Sequence, residues 1–560
     1  MDDSYQWRTI VFKRIIYIPC LIILVRLFYL QVVCGEYKLL ARRNFVKANV
    51  TYPARAHIVD RNGQTIARNA LLYDLYVVPR YSEHNNIDVF CSDFHLTHDD
   101  YNKKMRKAKR FSNTKPSTFI RDISIISHAR LIDKMISYRG FFFKPRLIRE
   151  YPSHNLGNII GYLADSENNM SSGQSGIEKM YDSTLCGTKG VEYDIVNVYG
   201  ARVKNYAEGK YDIGVYNAPP LSLTVDSSIQ TFCEGLLHGM CGGIVVLKPS
   251  NGDILAIVSS PTYDPNMLVR DNDFRKHYTQ LMDDSNRPLF NRAIMATYPA
   301  GSMFKLIQAL IALDKGCVGK YEKIVCTKKN VKCHTHPNPV NMHDAIKYSC
   351  NEYFYTVFQR IINGSTIVEL HDRLNEWSRS VSQFGFGKKL GIDLPSEKSG
   401  YVPNSDFYDD MYGKCGWSSS TIRSLDIGQG ELLATPLQMA NLAAIVSNGG
   451  FFFTPHVTKT YLTTKHTIHI DKTYFDFITD AMRDCITNGS GRNSYVKGMD
   501  ICGKTATIQN SGNDHSAFIG FSKEYDVALS VLVENAGWGS GVAATTAGRI
   551  FKFIKRIGIH

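Results

Sequence analysis

The sequence predicts a mixed α/β fold, a sheet flanked by helices, behind an apolar N-terminal segment. Three observations predict it. Gly242–Leu247, the turn Lys248-Pro-Ser-Asn-Gly252 and Ile254–Ser260 read as a hairpin of two apolar strands. Strand patterning returns at Ser516–Phe521 and Val527–Val533 and is followed by a helical pattern from Ala543 to Ile557. Between these, from about residue 300 to 450, the periodicity is helical. Strands, a helical middle, further strands and a terminal helix make a sheet covered by helices.

At 560 residues the chain is long enough for two or three domains, and 44% apolar with 21% charged residues describes an ordinary globular core. The net charge of +13 favours anionic surroundings, but no Lys/Arg block argues for nucleic acid. Ile15–Val33 is apolar apart from Pro19, Arg26 and Gln31, which is enough for one bilayer crossing, and no small-residue cleavage site follows. Basic residues on both sides leave its orientation open. Asp60-Arg-Asn-Gly63 reads as a hairpin turn. Helices are predicted at Lys103–Arg110 and Ile126–Tyr138, and a strand at Leu221–Asp226. A boundary at Ala218-Pro-Pro220 then divides the chain into a tail (1–14), an anchor (15–33), an N-terminal domain (34–220) and a C-terminal domain (221–560). The thirteen cysteines follow no disulfide framework and read mostly as small core residues. Cys326, Cys333, His334, His336 and His343 form a local cluster for zinc or for a Cys326–Cys333 disulfide; the spacing matches no zinc template, and no metal is assigned.

Gly498-Met-Asp-Ile-Cys-Gly-Lys-Thr505 satisfies the phosphate-loop pattern letter for letter. Its flanks do not fit. A polar, glycine-rich loop precedes it, and Thr505–Gln509 alternates as a strand where a helix is needed. Elsewhere, Tyr298-Pro-Ala-Gly301 prepares a turn into a helix that is apolar almost all round until Gly316. Ser302 and Lys305 share its first turn at i,i+3, where a desolvated amine can take the seryl proton. Ser349 and Asn351 form a Ser-x-Asn pair before an aromatic helix, and Lys504-Thr505-Ala506-Thr507 opens a later strand. No G-x-S-x-G occurs, so a Ser-His-Asp hydrolase has little support. Ser-x-x-Lys, Ser-x-Asn and Lys-Thr-x in this order are the signatures of penicillin-recognising serine acyltransferases.

With these motifs in place the chain resembles the class B penicillin-binding proteins, monofunctional peptidoglycan D,D-transpeptidases, over nearly its whole length. Pro53-Ala-Arg55, Arg149-x-Tyr-Pro152, Gly176-Ile-Glu178, Ser260-Pro-x-Tyr-Asp-Pro-Asn266, Gly391-Ile-Asp-Leu-Pro395 and Gly428-Gln-Gly430 extend the likeness. Val533-Glu-Asn-Ala-Gly-Trp538 is more similar to the elongation enzyme, penicillin-binding protein 2, than to the septal one. The resemblance implies a transpeptidase domain with a helical subdomain, an elongated α+β pedestal at 34–220, and a single-pass anchor in the bacterial inner membrane with catalysis outside. It implies Ser302 as nucleophile, Lys305 as base and Ser349 as proton relay. Asn351 would bind the substrate amide; Lys504, Thr505 and Thr507 would hold its carboxylate. Implied partners are stem peptides, β-lactams and a SEDS-family polymerase of the elongation complex; no cofactor is implied. Ala506 stands where the family has Gly, which predicts a narrowed groove, and Met303, Ala300 and Ala56 are further departures. An inactive activator of a polymerase, a β-lactam sensor and an anchored β-lactamase are the competing readings.

Overall fold

The computed structural model describes residues 3–33, 45–82, 86–165, 171–197, 202–269 and 271–558. Among these, no helix is long and apolar enough to cross a membrane. The N-terminal helix runs Asp3–Phe28 and yields to a π turn at Tyr29–Val33, which divides the expected apolar span. Every 18-residue stretch within that helix carries Lys13, Arg14 and either Arg8 or Arg26.

The chain separates into two compact units, Met1–Ala56 with Cys186–Pro219, and His57–Leu185 with Pro220–His560. The first holds an antiparallel sheet of Val46–Thr51, Gly190–Val196 and Arg202–Asn205.

In the second unit a long strand, Thr65–Val77, pairs with Ile58–Val59 across the turn predicted at Asp60–Gly63. Asp60 Oδ1 fixes that turn by accepting from the amides of Asn62 and Gln64 at 2.8 Å each. Ser117–Ile123 and Phe141–Glu150 pair on either side of the long strand. One sheet face buries Leu75, Val77, Phe119 and Phe141 against Phe90, Tyr101 and Tyr138. The helix expected at Lys103–Arg110 runs His98–Phe111. The one expected at Ile126–Tyr138 is split into Ile125–Leu131 and a 3-10 turn Asp133–Ser137, because the Met135 amide bonds to the Ile132 carbonyl three residues back. The strand expected at Leu221–Asp226 stops at Ser222; Asp226 instead caps the helix Ser227–Leu236, accepting from the amides of Ser228 and Ile229.

The C-terminal sheet comprises β1 (Gly242–Leu247), β2 (Ile254–Ser260), β3 (Cys502–Ile508), β4 (His515–Ser522) and β5 (Val527–Val533), in the antiparallel order β2-β1-β5-β4-β3. Both faces of β1, β2 and β5 are buried, which is why these three strands are mostly apolar. Ser227–Leu236 and the terminal helix Val542–Ile557 contribute to the core on one face, and Pro436–Asn448 packs against the sheet as well. β3 lies at the edge, and against it sits the turn that carries Ser302.

Candidate active site

The turn bearing Ser302 is held from two sides. Gly301 has φ +56° and donates its amide to the Gly428 carbonyl at 2.7 Å. A Cβ on Gly301 would come within 3.2 Å of the Ala506 methyl, so both conformation and space call for glycine. Ser302 then sits half-buried in the 3-10 turn Gly301–Met303, and the helix Lys305–Asp314 follows with Lys305 to Leu313 fully enclosed. Ser302 therefore sits in the turn before the helix and Lys305 opens it, rather than both sharing its first turn.

Lys305 is 0% exposed. Its Nζ donates to Ser349 O (2.9 Å), Ser349 Oγ (3.2 Å) and Asn351 Oδ1 (2.6 Å), which accounts for all three ammonium hydrogens. Among the described residues Ser302 Oγ makes no hydrogen bond to it. Burial, and then the neighbouring Lys504 charge, lower the Lys305 pKa to about 7. The amine is thus poised to lose a proton, and the lone pair then exposed is what a serine base requires. Ser349 adopts φ +60°, a left-handed conformation rare for serine, at the junction of the helices Met342–Lys347 and Asn351–Ile362. That junction turns the Ser-x-Asn pair back toward Lys305.

Lys504 lies on the edge strand, also 0% exposed, with Nζ donating to the Thr505 carbonyl at 3.1 Å; burial lowers its pKa. Thr505 Oγ1 shares a hydrogen bond with Ser490 Oγ at 2.9 Å. Thr507 Oγ1 accepts from the Gly539 amide at 3.1 Å, and Gln429 Nε2 donates to the Thr507 carbonyl at 3.1 Å. The predicted residues therefore fall into two groups. Lys305 binds Ser349 and Asn351 directly beside the Ser302 turn, while Thr505 and Thr507 are tied to the loops around the edge strand.

Strand alternation sets Lys504, Ala506 and Ile508 on one side of β3, and Ala506 is 2% exposed, packed toward Gly301. Its methyl is buried against the turn that carries Ser302.

Asp426 was not singled out from the sequence. It is 1% exposed in the 3-10 turn Arg423–Ile427, and among the described residues no side chain donates a hydrogen bond to its carboxylate. Burial pushes its pKa up to about 7, with the Lys305 charge pulling the other way. Gly428, two residues on, is the residue that receives the Gly301 amide, so Asp426 belongs to the same frame as Ser302. Its one sequence signal is a carboxylate set between Leu425 and Ile427 ahead of Gly428-Gln-Gly430.

The cysteine cluster changes membership. Ligand atoms of Cys326, Cys333, His336 and Cys350 all lie within 4.8 Å of one another, and Cys350 is the middle residue of Ser349-x-Asn351. His334 instead pairs with the Tyr348 carbonyl, and His343 faces Asp344 and Asp484. The thiols are free, so the proposed Cys326–Cys333 disulfide is not formed. Cys333 Sγ lies 3.4 Å from His336 Nε2 and 3.9 Å from Cys350 Sγ; hydrogen bonding from Cys350 leads in lowering its pKa to about 3. Three thiols and an imidazole are the donor set of a closed tetrahedral zinc site, where the sequence had assigned no metal. Purified protein is expected to carry about one zinc ion per chain and Cys333→Ser to lose it, as read by elemental mass spectrometry.

Comparison with known proteins agrees with this geometry. The penicillin binding protein transpeptidase domain matches residues 242–552, and the penicillin-binding protein dimerisation domain matches residues 50–214. The peptidoglycan D,D-transpeptidase MrdA of Acinetobacter baumannii is 30% identical, over 99% of this chain and 89% of its own length. MrdA of Escherichia coli is 27% identical over 93% and 90%. Penicillin-binding protein 2 of Helicobacter pylori, solved in complex with MreC, shares the fold at TM-score 0.74, with 22% identity over 91% of this chain and 99% of that one. Pseudomonas aeruginosa PBP2 in complex with WCK 5153 gives TM-score 0.64 and 25% identity over 90% and 96%. A transpeptidase match over more than half of its residues and a relative aligned along almost its full length establish that this chain belongs to the penicillin-binding protein transpeptidase family.

Proposed function

We propose that the chain is a peptidoglycan D,D-transpeptidase of cell-wall elongation, working through an acyl-enzyme on Ser302. The observation that carries this is Lys305, buried beside the Ser302 turn, with Nζ bonded to both Ser349 and Asn351 and a pKa near neutrality. Neutral Lys305 takes the Ser302 proton as Oγ attacks the penultimate D-alanyl carbonyl. Amides of Ser302 and Thr507 receive the oxyanion. The C–N bond breaks and Ser349 relays the proton to the departing D-Ala amine; a neighbouring stem-peptide amine then attacks the ester, the bond to Ser302 Oγ breaks, and the amine's proton passes through Lys305 back to Ser302 as the cross-link forms. Lys504, Thr505 and Thr507 hold the terminal carboxylate, and Asn351 the substrate amide.

The same reading takes Ile15–Val33 as a single-pass inner-membrane anchor with catalysis on the outer side. Its support is the apolar surface of the N-terminal helix, where Ile18, Leu21, Ile22, Leu24 and Val25 are all more than half exposed. MreC and a peptidoglycan synthase complex, seen with structural relatives, supply the class of partner.

Fluorescent penicillin is expected to label the protein covalently and stably, and Ser302→Ala to abolish the label. Labelling that survives the change misassigns the nucleophile; rapid loss of label from the native protein indicates a β-lactamase.

A further inference from the structure

The outer face of the sheet in 65–150 has no part in the chemistry above. Register places Asp74 opposite Lys144, Tyr76 opposite Phe142 and Leu72 opposite Arg146, all on the side away from the aromatic core. Tyr76 and Phe142 stack at 5.8 Å, and Lys144 Nζ lies 5.8 Å from the Tyr76 ring centre. Leu163, Ala164, Leu268 and Phe274 wall this face into a cleft of about 540 Å³ whose basic lining is Arg121, Lys144, Arg146, Arg149 and Arg275. Asp74 is its one acidic residue among those described.

Part of that charge is compensated. Arg146 is clamped by Asp74 (2.9 Å) and Asp122 (2.6 Å), and Arg149 by buried Glu178 (2.8 Å). Lys144 and Arg275 are exposed and form no ion pair among the described residues, so the cleft keeps excess positive charge at its opening. A second cavity of about 530 Å³ shares Tyr76 and Arg121 and adds Lys104, Lys107 and Phe111. Two concave basic spaces joined through Tyr76 and Arg121 suit an extended chain carrying repeated anions and flat apolar faces. A globular acidic partner needs a broader, flatter surface, and a lipid headgroup plane does not enter a concave cleft.

We propose that this cleft is an accessory site for an uncross-linked peptidoglycan strand, distinct from the Ser302 groove. Stem-peptide carboxylates pair with Lys144 and Arg275, and sugar ring faces lie on Tyr76 and Phe142. The choice of ligand rests on the transpeptidase reading; the cleft does not. Strand held here keeps acceptor stems at high local concentration for the acyl-enzyme.

The test uses full-length Ser302→Ala protein and soluble glycan–tripeptide strands, which lack the D-Ala-D-Ala that the groove takes. Binding is read by fluorescence anisotropy. Adding Lys144→Glu with Arg275→Glu is expected to weaken binding at least tenfold, and amidating the strand carboxylates to weaken it equally. Lys144→Gln with Arg275→Gln gives a smaller loss in the same direction, and a retained melting temperature certifies the fold. Unchanged strand affinity in the Glu variant overturns the proposal. So does polyglutamate or an anionic phospholipid vesicle binding as tightly as the strand with the same loss. Failure of penicillin to label the native protein would count against the transpeptidase reading and leave the anion cleft standing.

Discussion

Lys305→Met is expected to slow acylation by penicillin roughly 10³-fold, within the range that a positioned general base contributes. The amine has no substitute, because Lys504, the other buried amine, is engaged with the Thr505 carbonyl on the edge strand. Arginine cannot rescue the site, since a guanidinium does not give up its proton near neutral pH. Stability moves far less than rate. Removing a fully desolvated cation is favourable, while Ser349 O, Ser349 Oγ and Asn351 Oδ1 lose their donor, at about 1 to 3 kcal/mol for each buried group left unsatisfied. The two effects oppose one another. The measurement is the second-order acylation rate beside a thermal melt. A Met variant that acylates within tenfold of the native rate removes Lys305 from the role of base.

The motifs of the candidate site were legible because each is local. Ser302 and Lys305 declare themselves by helical spacing, and Lys504 by a strand that alternates where a phosphate loop needs a helix. The hairpin of β1 and β2 and the ends of β5 and the terminal helix follow patterning to within a residue or so. What stayed hidden depends on contacts between distant segments. Cys350 joins Cys326 and Cys333 only once the loop after the helix Lys305–Asp314 folds back on the Ser-x-Asn junction. Asp226 looked like the end of a strand, and its carboxylate instead starts a helix. Burial of Asp426 against a helix more than a hundred residues earlier leaves no periodic trace at all.

Asp426→Asn is expected to shift the acylation pH profile to lower pH and to stabilise the protein at alkaline pH. In the native protein, acylation is expected to rise with pH through about 7, because below the Lys305 pKa the amine is protonated and cannot accept from Ser302. Ionised Asp426 holds the proton on Lys305 more tightly, as do the sulfurs of Cys333 and Cys350, while Lys504 opposes them. Deleting the carboxylate lets Lys305 deprotonate earlier, and the rising limb moves down by roughly one pH unit. The stability effect follows from the carboxyl itself, which also feels Arg423 and Glu352. Its pKa rises from 3.8 unfolded to about 7 folded, so between those values the native state binds more protons. Stability therefore falls as pH rises from 3.8 to about 7, and the full cost is present above that window. Asparagine escapes it: the variant should be more stable at about pH 8, by up to ~4 kcal/mol, with the gain gone near pH 4. A purely structural aspartate predicts lower activity with the limb in place. A limb that does not move, or a variant less stable than the native protein at pH 8, detaches Asp426 from the catalytic amine.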